Sequence, residues 1–224
     1  MAATQHYSIQ PGRIRILKEG SNNLVGPVVY WMFRDQRMRD NWALIHVIDQ
    51  ANKRNVPVAV AFNLFDQFLG AKARQLGFML KGLRQLQGKI EETLQIPFFL
   101  FQGEAEETIP KFLTECGASL FVTDFSPLRQ IRICKDEICR KVSDSVTIHE
   151  VDAHNVVPIW VASDKLEYSA KTIRGKINKS LPEYLIDFFK LQPPIRKWVA
   201  ATNQSIDWDR LIDDVLRLDI CPIL

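Results

Sequence analysis

Charged side chains are concentrated in one short segment that directly follows an apolar run. The run at 28–33 is rich in β-branched and aromatic residues, and it is followed by Arg34, Asp35, Arg37, Arg39 and Asp40. Such a run is typical of a strand buried on both faces, and ligands of open α/β sheets bind beyond the carboxyl ends of these strands. The charged segment could therefore contact a polar ligand. The alternative is that these charges pair with one another and cap the next helix.

Polar and aromatic residues follow the later apolar runs in the same way. Because parallel strands end at one edge of a sheet, we expect these residues to gather with Phe65 around one crevice. A planar ring could stack there on an aromatic side chain such as Trp31 and hydrogen-bond to the polar ones. Asp124 has a simpler alternative role, as a cap of the next helix through Ser126. The candidate ligand-binding residues are Arg34, Asp35, Phe101, Gln102, Gly103, Asp124, Phe125 and Arg129.

Other common site chemistries have no matching pattern. The sequence has no glycine-rich phosphate-binding motif and no G-x-S-x-G nucleophile motif. His149 lies in a predicted strand and His154 in a predicted loop, and neither has a nucleophile at recognisable spacing. The four cysteines lack the paired spacing of metal ligands, so no metal site is predicted. Because the catalytic motifs are also absent, no catalytic residue is predicted. Asp35 and Asp40 lie among arginines, which favours two ionised carboxylates rather than an acid–base pair.

The apolar periodicity predicts five strands that alternate with four helices. The strands are predicted at 28–33, 57–63, 97–102, 119–123 and 145–151. Helices are predicted at 41–54 and 71–93, before Gly117 and after Pro127, with Asp40 or Asn41 as the first N-cap. Pro110 indicates that the third helix starts near Thr108 or is kinked there. Connections of this length imply parallel pairing and right-handed crossovers, and hence a doubly wound α/β fold with a five-stranded parallel sheet.

The segments on either side of this domain, which we place at 27–152, are less regular. Residues 1–26 form an N-terminal arm in which 13–17 could be a short strand or a turn of helix. Residues 153–215 are interpreted as an extended connector, with a short helix predicted at 208–216. The basic stretch at 165–179 has one aromatic residue, Tyr168, so it favours a solvated surface over a nucleic-acid groove.

The composition is that of a soluble globular protein. The 224 residues are 46% hydrophobic and 25% charged, with a formal net charge of +3, which permits nucleic-acid contact without indicating it. No apolar run approaches the ~20 residues of a membrane-spanning helix, and the first residues lack the apolar core of a signal peptide. We therefore expect an intracellular protein with reduced cysteines and no membrane partner, in the nucleus or the cytoplasm. Organelle targeting through the basic residues of 1–20 stays an open alternative.

The charged segment and its flanks resemble the opening motif of class II cyclobutane-dimer DNA photolyases. The matching pattern is Tyr-Trp-Met-x-Arg-Asp-x-Arg-x-x-Asp-Asn-Trp-Ala-Leu, at residues 30–44. Further collinear segments are similar to the same family, and most closely to its plant members. They lie at 62–65, 73–83, 97–100, 122–129, 151–158 and 168–177, so the resemblance covers nearly the whole chain.

The resemblance implies a light-driven DNA-repair lyase with a Rossmann-like N-terminal domain. In this family a reduced flavin, excited directly or through an antenna pigment, passes an electron to a pyrimidine dimer in DNA, and the dimer splits. The α/β domain carries the pigment, of deazaflavin or folate type, where one is bound. A separate helical domain binds flavin adenine dinucleotide (FAD) and the damaged DNA. The resemblance therefore makes the crevice residues candidate antenna contacts, and it makes Arg37, Asp40 and Asn41 candidate contacts to the helical domain.

The sequence departs from the family at its end. Residues 216–224 do not resemble the family, and the helical domain has no counterpart in this chain, so no FAD-site residue can be assigned. We therefore expect a chain that is inactive alone and that contacts damaged DNA weakly or not at all. Two alternatives stay open: a non-catalytic module that binds a chromophore or a nucleotide, as a regulatory or decoy isoform, or a partner of a full-length photolyase or helical protein.

Overall fold

A six-stranded, mostly parallel sheet forms the centre of the computed structural model, which describes residues 8–21, 25–65, 69–199 and 204–217. The spatial strand order is β1-β6-β5-β2-β3-β4. The five strands from β2 to β6 run parallel, which confirms the doubly wound α/β prediction. The strands are β1 (Ile14–Lys18), β2 (Val28–Trp31), β3 (Val58–Leu64), β4 (Phe98–Gln102), β5 (Leu120–Asp124) and β6 (Thr147–Val151).

Helices cover both faces of the sheet, and the first four of them connect the parallel strands. They are α1 (Trp42–Arg54), α2 (Ala73–Leu94), α3 (Ala105–Glu115), α4 (Arg129–Lys141), α5 (Ile159–Ala162), α6 (Ala170–Tyr184) and α7 (Trp208–Arg217). Helices α1, α2 and α7 pack on one face, where Tyr30 and Val60 point. Helices α3 and α4 pack on the other, where Trp31 and Phe121 point. Successive strand residues alternate between these two cores, because side chains of a strand project to opposite faces.

The five predicted parallel strands are all present, and the sheet has one strand more. β1 pairs antiparallel with β6 at the sheet edge. The alternation of charged and apolar residues at 13–17 fits either a short strand or a turn of helix. The tertiary pairing decides between them, because Arg15 reaches the buried Glu150 of β6.

Two proline-containing helices differ from expectation. The third helix, α3, begins at Ala105 and includes Pro110, so it does not start near Thr108. The expected connector contains α6, a helix of 15 residues that begins at the N-cap Ser169 and includes Pro182. The short helix predicted at 208–216 is confirmed as α7. The domain boundaries at 152 and 215 stay predictions, and most of the segment at 216–224 lies outside the described residues.

Arg13 joins the N-terminal arm to three other parts of the fold. Its side chain is fully buried. It donates hydrogen bonds of 2.7–3.3 Å to three carbonyls within residues 152–156 and to that of Tyr184. Its guanidinium also lies 4.8 Å from the ring centroid of Trp42 and 5.2 Å from that of Tyr184. The loop after β6, the end of α6 and the start of α1 are therefore held by one cation.

Candidate ligand crevice

An open crevice lies beyond the carboxyl ends of β2, β3 and β5. From β2 the chain passes through α1 to β3 on one side, whereas β5 lies on the other side of β2. The strand order therefore reverses at β2, and open α/β sheets bind ligands at such points. The crevice has a volume of about 440 Å³, within the ~300–1,000 Å³ typical of small-molecule pockets.

The crevice walls are mainly apolar. Phe33 and Phe65 meet edge to face with ring centroids 6.1 Å apart. The first turns of α2 contribute Leu76 and Met79 on one side, and residues 126–128 close the other. Polar groups, including those of Arg34, Gln36 and Gln75, also line it. This arrangement suits a flat, apolar ligand with polar edges.

Asp124 is buried beneath the crevice rather than lining it. One carboxylate oxygen accepts a hydrogen bond of 2.7 Å from the Tyr30 hydroxyl. The other accepts from the backbone N–H groups of Phe33, Arg34 and Asp35, at 2.8–3.1 Å. Asp124 therefore fixes the start of the charged loop, and it does not cap the following helix. In that turn, the Ser126 hydroxyl accepts from the Leu128 N–H at 3.4 Å.

Burial and hydrogen bonding act in opposite directions on this carboxyl. Burial raises the pKa of Asp124, and the nearby Asp35 adds to the rise, whereas the hydrogen bonds from Tyr30 and the loop backbone lower it. Burial also raises the pKa of Tyr30 well above its ordinary value, with Asp124 as the second cause. Tyr30 therefore stays protonated and donates.

Asn41 completes this polar cluster from the start of α1. Its side-chain oxygen accepts from the Leu44 N–H at 3.0 Å, which makes it the N-cap. Its amide group donates to the Tyr30 hydroxyl and to the carbonyls of Asp35 and Arg37, each at 3.1 Å. Asn41 is completely buried in this cluster, and its contact to the helical domain stays a prediction. Asp40 precedes it with a φ of 53°, in the left-handed region.

Other charged residues of the loop pair with neighbouring groups, in line with the alternative interpretation that these charges pair rather than bind a ligand. Asp35 is 3% exposed, and its Oδ1 lies 3.2 Å from an Arg37 nitrogen and 3.4 Å from His154 Nδ1. Arg37 also donates to the Asp40 carbonyl at 3.2 Å. Arg37 and Asp40 are exposed and stay candidate interface residues. Arg34 is the one predicted ligand residue of this loop that lines the crevice.

The predicted residues around β4 lie elsewhere. Phe101 packs against Phe112 of α3, with centroids 5.0 Å apart. Gln102 lines a second cavity of about 610 Å³ next to α7. Gly103 has a φ of 95°, which favours glycine, and its carbonyl accepts from the Asn63 side chain at 2.7 Å.

The two predicted residues after β5 also point away from the crevice. Phe125 is buried against Trp160, edge to face, with centroids 5.5 Å apart. Arg129 is exposed at the first position of α4. Neither of them lines the crevice. The structure thus brings together Arg34 and Phe65, and it separates the other predicted contacts.

Sequence reasoning missed most of the apolar crevice residues. The sequence pattern places Phe33 within the predicted strand at 28–33, and Leu76 belongs to the apolar stripe of α2. Met79 lies one helical turn beyond that stripe position. A usable signal is the position of α2, which starts after β3 and so brings its first turns to the carboxyl edge of the sheet.

Comparison with known proteins decides the family. A family model described as DNA photolyase matches residues 28–196. The chain belongs to the DNA photolyase family. The matched range runs from β2 to beyond α6 and so contains all the residues that line the crevice.

This photolyase-family chain is similar to longer plant and animal proteins, each named deoxyribodipyrimidine photo-lyase. The one from Arabidopsis thaliana is 70% identical over 222 residues, which cover 97% of this chain and 44% of the relative. The one from Oryza sativa subsp. japonica is 48% identical over 221 residues, covering 93% and 43%. The one from the marsupial Potorous tridactylus is 41% identical over 184 residues, covering 81% and 34%. The chain thus spans less than half the length of these relatives.

Neither a metal-binding cluster nor a membrane-spanning helix is found within the described part of this photolyase chain. No group of three or more His, Cys, Asp and Glu side chains there could hold a metal ion. Among the described helices, none is long and apolar enough to cross a bilayer.

Proposed function

We propose that this chain forms the pigment-binding α/β part of a light-driven deoxyribodipyrimidine photolyase. Family membership and the names of the plant relatives support the repair function at the level of the whole protein. The proposal that this chain is the pigment-binding part rests on the apolar crevice at the point where the strand order reverses. We further propose that the chain alone does not repair DNA, because no described residue can be assigned to an FAD site.

The crevice residues fit a planar pigment of the deazaflavin or folate type. Phe33 and Phe65 offer ring surfaces for stacking, and Leu76 and Met79 give apolar walls. Such a pigment, when bound, absorbs light and passes the excitation energy to the flavin.

The polar groups at the crevice would orient the pigment. Arg34 can donate to a carbonyl or carboxylate at the pigment edge. The backbone N–H of Arg34 is held by Asp124 at 2.8 Å, so the buried carboxylate positions the residue that would contact the pigment. Its guanidinium also donates to the Phe125 carbonyl at 3.5 Å.

A binding titration with matched variants tests the pigment site. Leu128, the residue before α4, is 40% exposed and lines the crevice, whereas Ile133 on α4 is 52% exposed and lies outside it. We expect a 5-deazaflavin or a reduced folate to bind the native chain, Leu128→Trp to weaken binding at least tenfold, and Ile133→Trp to leave it unchanged. A native chain that binds neither pigment would contradict the proposal.

A repair assay tests the proposed inactivity. The chain would be mixed with dimer-containing DNA, reduced flavin and light, and dimer splitting would be counted against a full-length plant photolyase. We expect no splitting above the flavin-only control. Repair at the rate of the full-length enzyme would overturn this part of the proposal.

The exposed apolar side chains of the segment at 156–199 favour an association role as the second candidate. Leu166, Tyr168, Leu185 and Ile195 are 58–89% exposed, and exposed apolar groups that cluster commonly mark interaction surfaces. Sedimentation of the chain alone and with a full-length photolyase would test this role. A monomer that stays separate from the photolyase would count against it.

A further inference from the structure

A groove with a strongly basic lining lies on the other side of the charged loop from the crevice. It has a volume of about 500 Å³ and runs between the loop at 36–39 and the exposed side of α2. Gly82, Gln85, Lys89 and Thr93 lie on one stripe of the helix, because positions three and four apart share a face. We call it the α2 groove. Gln36 lines both the groove and the crevice.

The charge of the α2 groove is of one sign. Arg37 and Arg39 lie on the loop wall and Lys89 on the helix wall, and none of the lining residues is acidic. Asp35, the carboxylate that pairs with Arg37, is buried, so it adds no exposed negative charge. Arg39 and Lys89 form no ion pair with any residue in the described part of the chain. The two cations are therefore free to bind an external anion.

The uncharged residues of the groove add shape and hydrogen-bonding groups. Gln85 and Thr93 are exposed and can donate to oxygen acceptors. At Gly82 an added Cβ would meet no atom within 4 Å, so the middle of the groove is open. Guanidinium and ammonium groups in a concave site bind phosphate oxygens through charge-assisted hydrogen bonds.

We propose that the α2 groove binds phosphate groups, with Arg39 and Lys89 as the principal contacts. The phosphates can come from a polynucleotide backbone or from a compact phosphate ligand, since both present the same oxyanions. The site shares no contact with the proposed pigment apart from Gln36, and it does not depend on the pigment proposal.

The first test compares two charge-matched double variants of the 224-residue chain. A fluorescein-labelled, undamaged oligothymidylate is titrated with protein while its fluorescence anisotropy is measured over a range of salt concentrations. Arg39→Gln with Lys89→Gln removes two groove cations. Lys81→Gln with Lys111→Gln removes two exposed cations outside the groove, on α2 and α3. We expect the groove variant to bind at least tenfold more weakly, and its salt slope to fall by about 1.4, two contacts at about 0.7 each.

A second pair of variants tests the shape of the groove without changing charge. Gly82→Met would fill the groove, whereas Gly88→Met, on the same helix with equally open surroundings, would not. Both changes replace a helical glycine, so both are compatible with the fold. We expect weaker oligonucleotide binding only for Gly82→Met.

Competition with inorganic pyrophosphate distinguishes the two phosphate sources. Displacement of the oligonucleotide by millimolar pyrophosphate supports a compact phosphate ligand, and binding that resists pyrophosphate supports a polynucleotide backbone. The proposal is overturned if neither probe binds, or if the groove variants and their controls lose affinity equally.

Discussion

Two neighbouring regions at the carboxyl edge of the sheet differ in how completely their groups are paired. Around Asp124, the Tyr30 hydroxyl, the Asn41 amide and three backbone N–H groups are joined in one buried network. A few residues away, Phe33, Phe65 and Leu128 line an open crevice. The polar residues that sequence patterns single out for chemistry serve the first region. The crevice is formed mostly by apolar residues, many of which sequence patterns assign to the core.

The difference follows from the cost of burying polar groups. A carboxylate at the end of a central strand has to be paired when it is buried, and the loop N–H groups supply that pairing. The loop is then fixed by its backbone, which leaves the side chains of Arg34 and Gln36 at the rim. A ligand added to this edge would therefore contact the rim and the aromatic walls, not the buried carboxylate.

The largest expected effect comes from removing Asp124. Asp124→Ala would leave three backbone N–H groups and the Tyr30 hydroxyl without their acceptor, and we expect the free energy of unfolding to fall by about 3–5 kcal/mol. Urea unfolding followed by circular dichroism measures this change. Asp144→Ala is the control, because that carboxylate is fully exposed and contacts Lys18 at 2.8 Å. A loss no larger than that of the control would show that the Asp124 network is not structural.

A slightly smaller loss is expected when Arg13 is replaced. Arg13→Lys keeps the charge but cannot reach the four carbonyls in the same fork geometry, so we expect a loss of roughly 2–4 kcal/mol. Urea unfolding again measures it, with Arg15→Lys as the control, since Arg15 is 45% exposed. Equal losses in the two variants would remove Arg13 from the buried network.

The prediction of the fold from sequence succeeded where periodicity was strong. The parallel strands and the helices α1, α2 and α4 follow from apolar runs and stripes that are long enough to be unambiguous. β1 could not be assigned from sequence, because a short segment that alternates between charged and apolar residues fits a strand or a helical turn until the partner strand is known. Helix α6 was obscured by Pro182, which lies near its end.

The predicted site residues lie near the predicted edge of the sheet, but most of them do not line the crevice. Strand ends predict the edge where the crevice lies, and Arg34 and Phe65 are there. Sequence cannot show whether Asp124 points into the crevice or under it, because that depends on the path of residues 33–35. It also cannot show that Phe101 and Phe125 turn toward Phe112 and Trp160.

A pH-dependent loss of stability is expected from a partly buried polar contact between α1 and β6. His46 Nε2 and His149 Nδ1 lie 3.0 Å apart. Burial lowers the pKa of His46 to about 3, with His149, Lys53 and Arg54 adding to the shift. Burial and Arg54 lower the pKa of His149 to about 4.

The sign of this effect follows from proton uptake. Above pH 6.5, both the folded and the unfolded chain carry neutral histidines, and the contribution to stability is complete. As the pH falls from 6.5 toward 4, the unfolded chain binds protons that the folded chain does not, so stability falls. The slope approaches about 2.7 kcal/mol per pH unit for two histidines. Urea unfolding across this range should show His149→Gln with about half the slope, and an unchanged slope would contradict the assignment.

The smallest effect on stability is expected in the crevice. Leu128→Ala removes a rim side chain that is 40% exposed, so we expect a change within about 0.5 kcal/mol. Ile131→Ala, one turn along α4 and 1% exposed, should cost about 2–5 kcal/mol. Similar losses in the two variants would mean that the crevice is part of the packed core rather than an open site.

The most direct test of the difference between the two regions is an NMR titration of the chain with a 5-deazaflavin. We predict that the methyl signals of Leu76, Met79 and Leu128 shift on binding, while the side-chain amide signal of Asn41 stays in place. Shifts at Asn41, or shifts confined to residues that line the cavity beside α7, would contradict the account.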